Sequence, residues 1–227
     1  MCSICGMIDF NSKPSVALVE KMGSVMKSRG PDATEFFSDT YAVLHHNRLS
    51  VMDPENGRQP MKATFRGKEY IIVYNGEIYN SPELRKVLER HGAVFRTACD
   101  TETVLWCYII FGSECPKMLN GIFAFAVYDA AERRVFFARD RLGVKPFFFS
   151  EKGGGFCFAS EMKALLQNPS ISRSVGLEGF WQLIFLSPVT LSGTTVFSDI
   201  RELKPAECGE YTPDGLKITS YWALEAK

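Results

Sequence analysis

The run Ile122-Phe123-Ala124-Phe125-Ala126-Val127-Tyr128 limits the fold more than any other stretch of this chain. Every residue in it is apolar. Successive side chains of a strand point to opposite faces, so a strand of this kind must bury both. Val135-Phe136-Phe137-Ala138 returns after a turn over residues 129–133, which makes the two strands antiparallel neighbours. Tyr70 to Tyr74 reads as a further apolar strand. Pro146 to Ser150 and Phe156 to Ser160 form another pair around the glycine turn 153–155. Antiparallel sheets usually leave one face to water; these do not, and so they need a layer on each side.

Helices supply the outer layers. One follows Pro14, with Leu18, Met22 and Val25 on one face. A second runs from Ser81 to His91, with Ser81 as its cap, Pro82 in its first turn and Gly92 as its stop. A third runs from Asp100 to Phe111 and ends at Gly112, and a fourth lies near Glu161 to Gln167. The extended stretch Ile4 to Phe10 opens the chain. The region holding Pro188, Gly193, Pro205, Gly209, Pro213 and Gly215 reads as short strands and turns, with Tyr221-Trp222 anchoring its end. Covered antiparallel sheets with several helices define a layered α+β fold.

Lysine plus arginine and aspartate plus glutamate both count 26 in 227 residues, so no charge excess points to nucleic acid or an anionic membrane. No stretch approaches the roughly 18 apolar residues of a membrane helix. The N-terminus has no basic leader, and the seven cysteines are odd in number and scattered, which suits a reducing cytoplasm.

Four places could carry chemistry. Cys2 follows the initiator methionine. Removal of Met1 would leave its thiol beside a free α-amine of reference pKa about 7.7–8.0, able to take the thiol proton; the plainer reading is a small residue with no role. Cys2 and Cys5 also form a C-x-x-C pair, which redox or zinc chemistry uses elsewhere, but no second pair completes a metal site. Asn75-Gly76 reads first as a hairpin turn, and otherwise as two donors for a developing oxyanion. Arg48 makes a surface ion pair or grips a carboxylate through two hydrogen bonds. Asp100 caps a helix or meets a ligand ammonium. His45 and His46 lie in an apolar strand and His91 at a helix end, and none is assigned catalysis.

These places fall into an ordered series. It runs through Met1-Cys2, Arg29-Gly30-Pro31-Asp32, Arg48-Leu49-Ser50, Gly57-Arg58-Gln59-Pro60-Met61 and Tyr74-Asn75-Gly76-Glu77. It continues through Asp100-Thr101-Glu102, Ala138-Arg139-Asp140-Arg141-Leu142-Gly143 with Lys145-Pro146, and Phe158-Ala159-Ser160-Glu161. In this order the chain resembles the class II glutamine amidotransferases, and among them the glutaminase domain of glutamine-dependent asparagine synthetase. The resemblance implies a four-layer αββα sandwich, the N-terminal-nucleophile hydrolase fold, as one domain over residues 1–227. Residues 212–227 would lead towards a synthetase domain.

The resemblance also implies roles. Cys2 matches the nucleophile, and Asn75 and Gly76 match the oxyanion hole. Arg48 matches the residue for the glutamine α-carboxylate and Asp100 the one for its α-ammonium, with Glu77, Val51 and Met52 lining the same pocket. L-Glutamine is then the substrate, with a synthetase domain in cis or in trans as partner and a homodimer as a further expectation. No metal or cofactor is expected here. ATP and magnesium belong to the synthetase domain, whose Ser-Gly-Gly-x-Asp-Ser loop does not occur in this sequence. Ser3, where the family usually has glycine, is expected to narrow the site, and Asn47 replaces a frequent arginine. A catalytically weak regulatory or assembly domain is the alternative.

Overall fold

The computed structural model describes residues 1–152, 154–186 and 191–225. Gly153 and Pro188, read above as turn positions, and residues 226–227 lie outside the described residues.

Six strands form one sheet: β1 (Ser3–Ile8), β2 (Ala33–Ser38), β3 (Ala42–Arg48), and, after the strands of the second sheet, β8 (Phe148–Ser150), β9 (Phe156–Ala159) and β10 (Arg201–Glu202). The second sheet holds β4 (Met61–Phe65), β5 (Lys68–Ile78), β6 (Gly121–Asp129), β7 (Arg134–Arg139), β11 (Glu207–Thr212) and β12 (Gly215–Ser220). Their orders are β10-β8-β9-β1-β3-β2 and β12-β11-β7-β6-β5-β4, with every pairing antiparallel. The helices are α1 (Val16–Ser24), α2 (Ser81–Arg90), α3 (Asp100–Phe111), α4 (Cys115–Met118), α5 (Met162–Leu165) and α6 (Leu177–Phe185). α1 and α5 pack on the first sheet, while α2, α3 and α4 sit over the second.

The apolar run that opened the sequence reading is β6, and its alternation fills two cores. Phe123, Phe125 and Val127 face the helices with Val104, Leu105 and Tyr108. Ala124, Ala126 and Tyr128 face the other sheet, among Ile4, Ile8, Phe137 and Phe158. The result is the expected αββα sandwich. In the middle layer Phe147 stacks on both Phe137 and Phe158, with ring centroids 5.2 and 5.3 Å apart.

Two local expectations differ. Asn75-Gly76 is not a hairpin turn. It lies inside β5, with Asn75 opposite Ala124 and Gly76 opposite Phe123. The turn that starts this hairpin is Arg66-Gly67, both at positive φ (51° and 79°), which suits the twist of the strands on either side. Ser81 does not cap α2. Asn80 takes that position, while the Ser81 hydroxyl bonds Thr103 Oγ1 at 2.7 Å. The late region forms short strands as expected: β12 closes the second sheet as its edge, and Tyr221 anchors the end, its hydroxyl donating to the Arg139 carbonyl at 2.7 Å.

Helix α6 was not foreseen. Its sequence is apolar apart from Glu178 and Gln182, too few polar positions to stand out beside the glycines and prolines that follow. A helix of that kind is normally enclosed, yet Leu177 is 75% and Phe185 68% exposed, and of its residues only Gly179 and Gln182 are buried.

Candidate active site

Cys2 precedes the first residue of β1, at the strand's entrance into the sheet. β1 lies between β3 and β9, so its backbone is held on both sides. The Cys2 sulfur donates to the Leu49 carbonyl at 3.6 Å and accepts from the Leu49 N–H at 3.4 Å. Arg29 Nε donates to the Cys2 carbonyl at 3.1 Å, and the same guanidinium reaches Glu161 at 3.1 Å. The nucleophile candidate is thus fixed from three directions.

It opens on a cavity of about 240 Å³. All eight residues singled out by the sequence line it: Cys2, Arg48, Val51, Met52, Asn75, Gly76, Glu77 and Asp100. They come from the position just before β1, the end of β3, the loop after it, β5 and the start of α3. Asn75 is buried, and its Nδ2 has no hydrogen-bond partner. An unmet buried donor costs about 1–3 kcal/mol, so this amide awaits an acceptor. At Gly76 a Cβ would collide with the Ile122 carbonyl and sit 2.8 Å from Phe123 Cα. Only glycine fits against β6 there.

Arg48 is 7% exposed and spends its guanidinium on the loop that follows. Nη1 donates to Pro54 O at 2.8 Å, and Nη2 to Met52 O and Asp53 O at 3.1 and 2.7 Å. Asp53, at φ 43°, continues the chain of contacts by accepting from Ala98 N–H at 2.9 Å. That bond holds its carboxyl below the usual range. The loop is thereby tied to the segment entering α3.

Asp100 is not an N-cap. Cys99 holds that position and Asp100 is the first helical residue. Its Oδ2 accepts from the Tyr74 hydroxyl at 2.7 Å and from Ile78 N–H at 3.0 Å, and the helix start favours its charge. Burial, reinforced by the Asp100 charge, pushes the Tyr74 hydroxyl well above its ordinary pKa, so it remains a donor. Gln59 stands in a matched motif but was assigned no role. Its amide accepts from Tyr74 N–H at 2.6 Å and donates to Thr101 Oγ1 at 3.2 Å, clamping β5 to α3 beside the cavity. Lys145 also lines the cavity and was not singled out. It stands in a matched motif, but nothing local marks it as a site residue.

Ser3 does not narrow the cavity. Its hydroxyl is fully buried between Asn47 Nδ2 at 3.0 Å and the Met26 carbonyl at 3.4 Å. The two departures from the usual pattern, Ser3 and Asn47, therefore satisfy each other. Cys5 lies in the core with Val19 and Met22, and burial raises its thiol far above the ordinary value. It does not join Cys2 at the cavity.

A two-sheet αββα sandwich is the fold of the N-terminal-nucleophile hydrolases, and here Cys2 and the unmet Asn75 amide line one cavity. Solved structures share the fold. One described as the allosteric regulatory enzyme of purine biosynthesis superposes with TM-score 0.74 at 16% identity, covering 98% of this chain and 50% of that one. The glutamine phosphoribosylpyrophosphate amidotransferase from B. subtilis gives 0.72 at 16% identity, with the same coverage. The family model described as a glutamine amidotransferase domain matches residues 1–222, and the chain belongs to that family.

Its curated relatives narrow the branch. Asparagine synthetase [glutamine-hydrolyzing] 3 of Bacillus subtilis is 42% identical over 100% of this chain and 37% of its own length. A putative asparagine synthetase [glutamine-hydrolyzing] 2 of Methanocaldococcus jannaschii is 38% identical over 99% and 47%. Asparagine synthetase B of Escherichia coli is 37% identical over 73% and 30%. The chain thus spans between about a third and a half of the length of these relatives. Among the described residues no helix is long and apolar enough to cross a membrane.

Proposed function

We propose that this domain hydrolyses the side-chain amide of L-glutamine to glutamate and ammonia through a thioester on Cys2. It supplies the ammonia to an asparagine synthetase-type, ATP-dependent module in cis or in trans. ATP and magnesium act in that module, and this domain uses neither. The observation that carries the reading is the buried, unpartnered Asn75 Nδ2 in the cavity onto which Cys2 opens.

The chemistry follows from the residues present. Loss of Met1 frees the α-amine of Cys2, which takes the thiol proton. Arg48 and Asp100 hold the α-carboxylate and α-ammonium of glutamine, so the amide carbon is oriented towards the sulfur. Thiolate attack forms a tetrahedral oxyanion, and Asn75 Nδ2 with the Gly76 N–H receives it. The amine returns its proton to the departing nitrogen, and ammonia leaves. Water then hydrolyses the thioester to glutamate. Asparagine is one methylene shorter, a difference that a pocket alone separates by about 1–3 kcal/mol. Fixing both charged ends of the substrate misplaces the shorter amide and sharpens that choice.

The test is glutamate release from glutamine by the full chain and by Cys2→Ala, with intact mass spectrometry to confirm loss of Met1. The variant is expected to be inactive, and a glutamine-analogue electrophile to add once to the wild type and not to Cys2→Ala. Equal turnover by the two proteins would defeat the mechanism. The rival reading, a regulatory domain without catalysis, draws on Met1: while that residue is attached, the Cys2 nitrogen is an amide and no base. Retained Met1 with no turnover would favour it.

A further inference from the structure

Lys145 lines the same cavity, and the glutaminase reading gives it no role. Its backbone is fixed: the N–H donates to Asp140 Oδ2 at 3.0 Å, and the carbonyl accepts from Arg139 Nε at 2.8 Å. The residue is 8% exposed. Among the described residues no carboxylate lies within ion-pair distance of its ammonium. The side-chain partner Nζ has is Met1 Sδ at 3.3 Å, a weak acceptor.

That contact places the charge. Met1 Sδ is five bonds from the Cys2 nitrogen, a span of at most about 6 Å at standard bond lengths. Lys145 Nζ therefore lies within about 9–10 Å of that nitrogen. Removal of Met1 does two things at once: it turns the nitrogen into an amine, and it takes the sulfur away from the ammonium.

Resting on the proposed mechanism, we infer that Lys145 is a positioning residue whose ammonium keeps the Cys2 α-amine unprotonated, and so able to act as base, near neutral pH. The other charges around the amine do not cancel this. Arg29, which holds the Cys2 carbonyl, shares Glu161 with Lys163, and the net positive charge of that group acts in the same direction as Lys145. Arg48 and Asp100 are of opposite sign, and in the proposed reading each meets an opposite charge of the substrate. Glu77, from β5, is exposed and screened by water. The thiols of Cys2 and Cys99 and the Tyr74 hydroxyl complete the titratable groups lining the cavity.

A unit charge at that outer limit of about 9–10 Å, at the effective dielectric of about 20 typical of proteins, moves an amine pKa by about 1.3 units. From a reference near 7.8 that raises the free-base fraction at pH 7 about fivefold. Lys145→Met should therefore shift the acid limb of kcat/KM up by about one pH unit. It should cost about fivefold at pH 7 and converge with wild type near pH 9. Lys145→Arg should restore the wild-type limb, which a purely structural role does not predict.

The full chain, confirmed by mass to have lost Met1 and carrying 15N in its cysteines, reports the amine midpoint by NMR without any turnover. Lys145→Gln serves if the methionine variant does not fold. An amine midpoint raised in the neutral variants and restored in the arginine variant supports the assignment. An unchanged midpoint, or a retained Met1, overturns it. The two readings fail separately. Turnover that depends on Cys2 but has an unmoved acid limb removes the lysine role alone. A charge-dependent midpoint without glutamine turnover supports the lysine's effect on the amine and removes the glutaminase reading.

Discussion

Acid should loosen the strand that follows Cys2. His45 and His46 lie on β3, opposite Cys5 and Ile4 of β1. Burial lowers the His45 imidazole to about 4. Burial lowers His46 to about 3; a hydrogen bond that the imidazole donates to the Tyr74 backbone carbonyl opposes this in part, and His45 and Arg48 add to it. Both rings are inaccessible, and His45 Nδ1 and His46 Nε2 have no partner. The folded values lie below the unfolded value of about 6.5. The native state therefore binds fewer protons than the unfolded chain. This contribution is fully present above about pH 6.5 and is lost as pH falls towards 4 and 3. At pH 5 the loss is about 2 kcal/mol for each histidine, so about 4 kcal/mol together. A domain has about 5–15 kcal/mol in all. With a urea slope of about 2 kcal/mol/M, the midpoint should fall by about 2 M between pH 7.5 and 5. Urea unfolding of wild type and of the His45→Gln/His46→Gln double variant measures it, and the variant should lose most of that drop. If the variant does not fold, the imidazole titrations of wild type give the two folded values directly. Equal pH dependence in both proteins, or imidazoles titrating near 6.5, would refute the reasoning.

Three further outcomes are expected. Asn75→Ala should lower kcat for glutamine hydrolysis by about 10²–10³ with KM little changed, read from steady-state kinetics. Gly76→Ala should both destabilise and inactivate, because its methyl group meets the Ile122 carbonyl and Phe123 Cα; a lowered thermal midpoint alongside lost turnover checks it. Ser3→Gly should cost about 1 kcal/mol, since it removes the buried hydroxyl that Asn47 Nδ2 and Met26 O share, and it should leave the turnover rate unimproved.

The fold was legible where the sequence repeated one message along a whole element. β6 and β7 announced a doubly buried sheet, and α3 began at Asp100 and stopped at Gly112 as its composition implied. Legibility failed where a local rule had a tertiary competitor. Asn75-Gly76 has turn chemistry, yet pairing with Ala124 and Phe123 on β6 outweighs it, and the true turn fell at Arg66-Gly67. α6 was missed because only Glu178 and Gln182 interrupt its apolar run.

The site divides in the same way. By itself the sequence determined which residue types stand in which order: a cysteine after Met1, an asparagine-glycine pair, an arginine and an aspartate far apart in the chain. Only the tertiary structure decided that they share one cavity, because β1, β3, β5 and α3 meet there through sheet pairing and helix packing. It also decided that Ser3 turns to Asn47 instead of the cavity, and that Lys145 stands close to Cys2. Those facts depend on which face a side chain takes and what lies across from it. No spacing along the chain encodes either one.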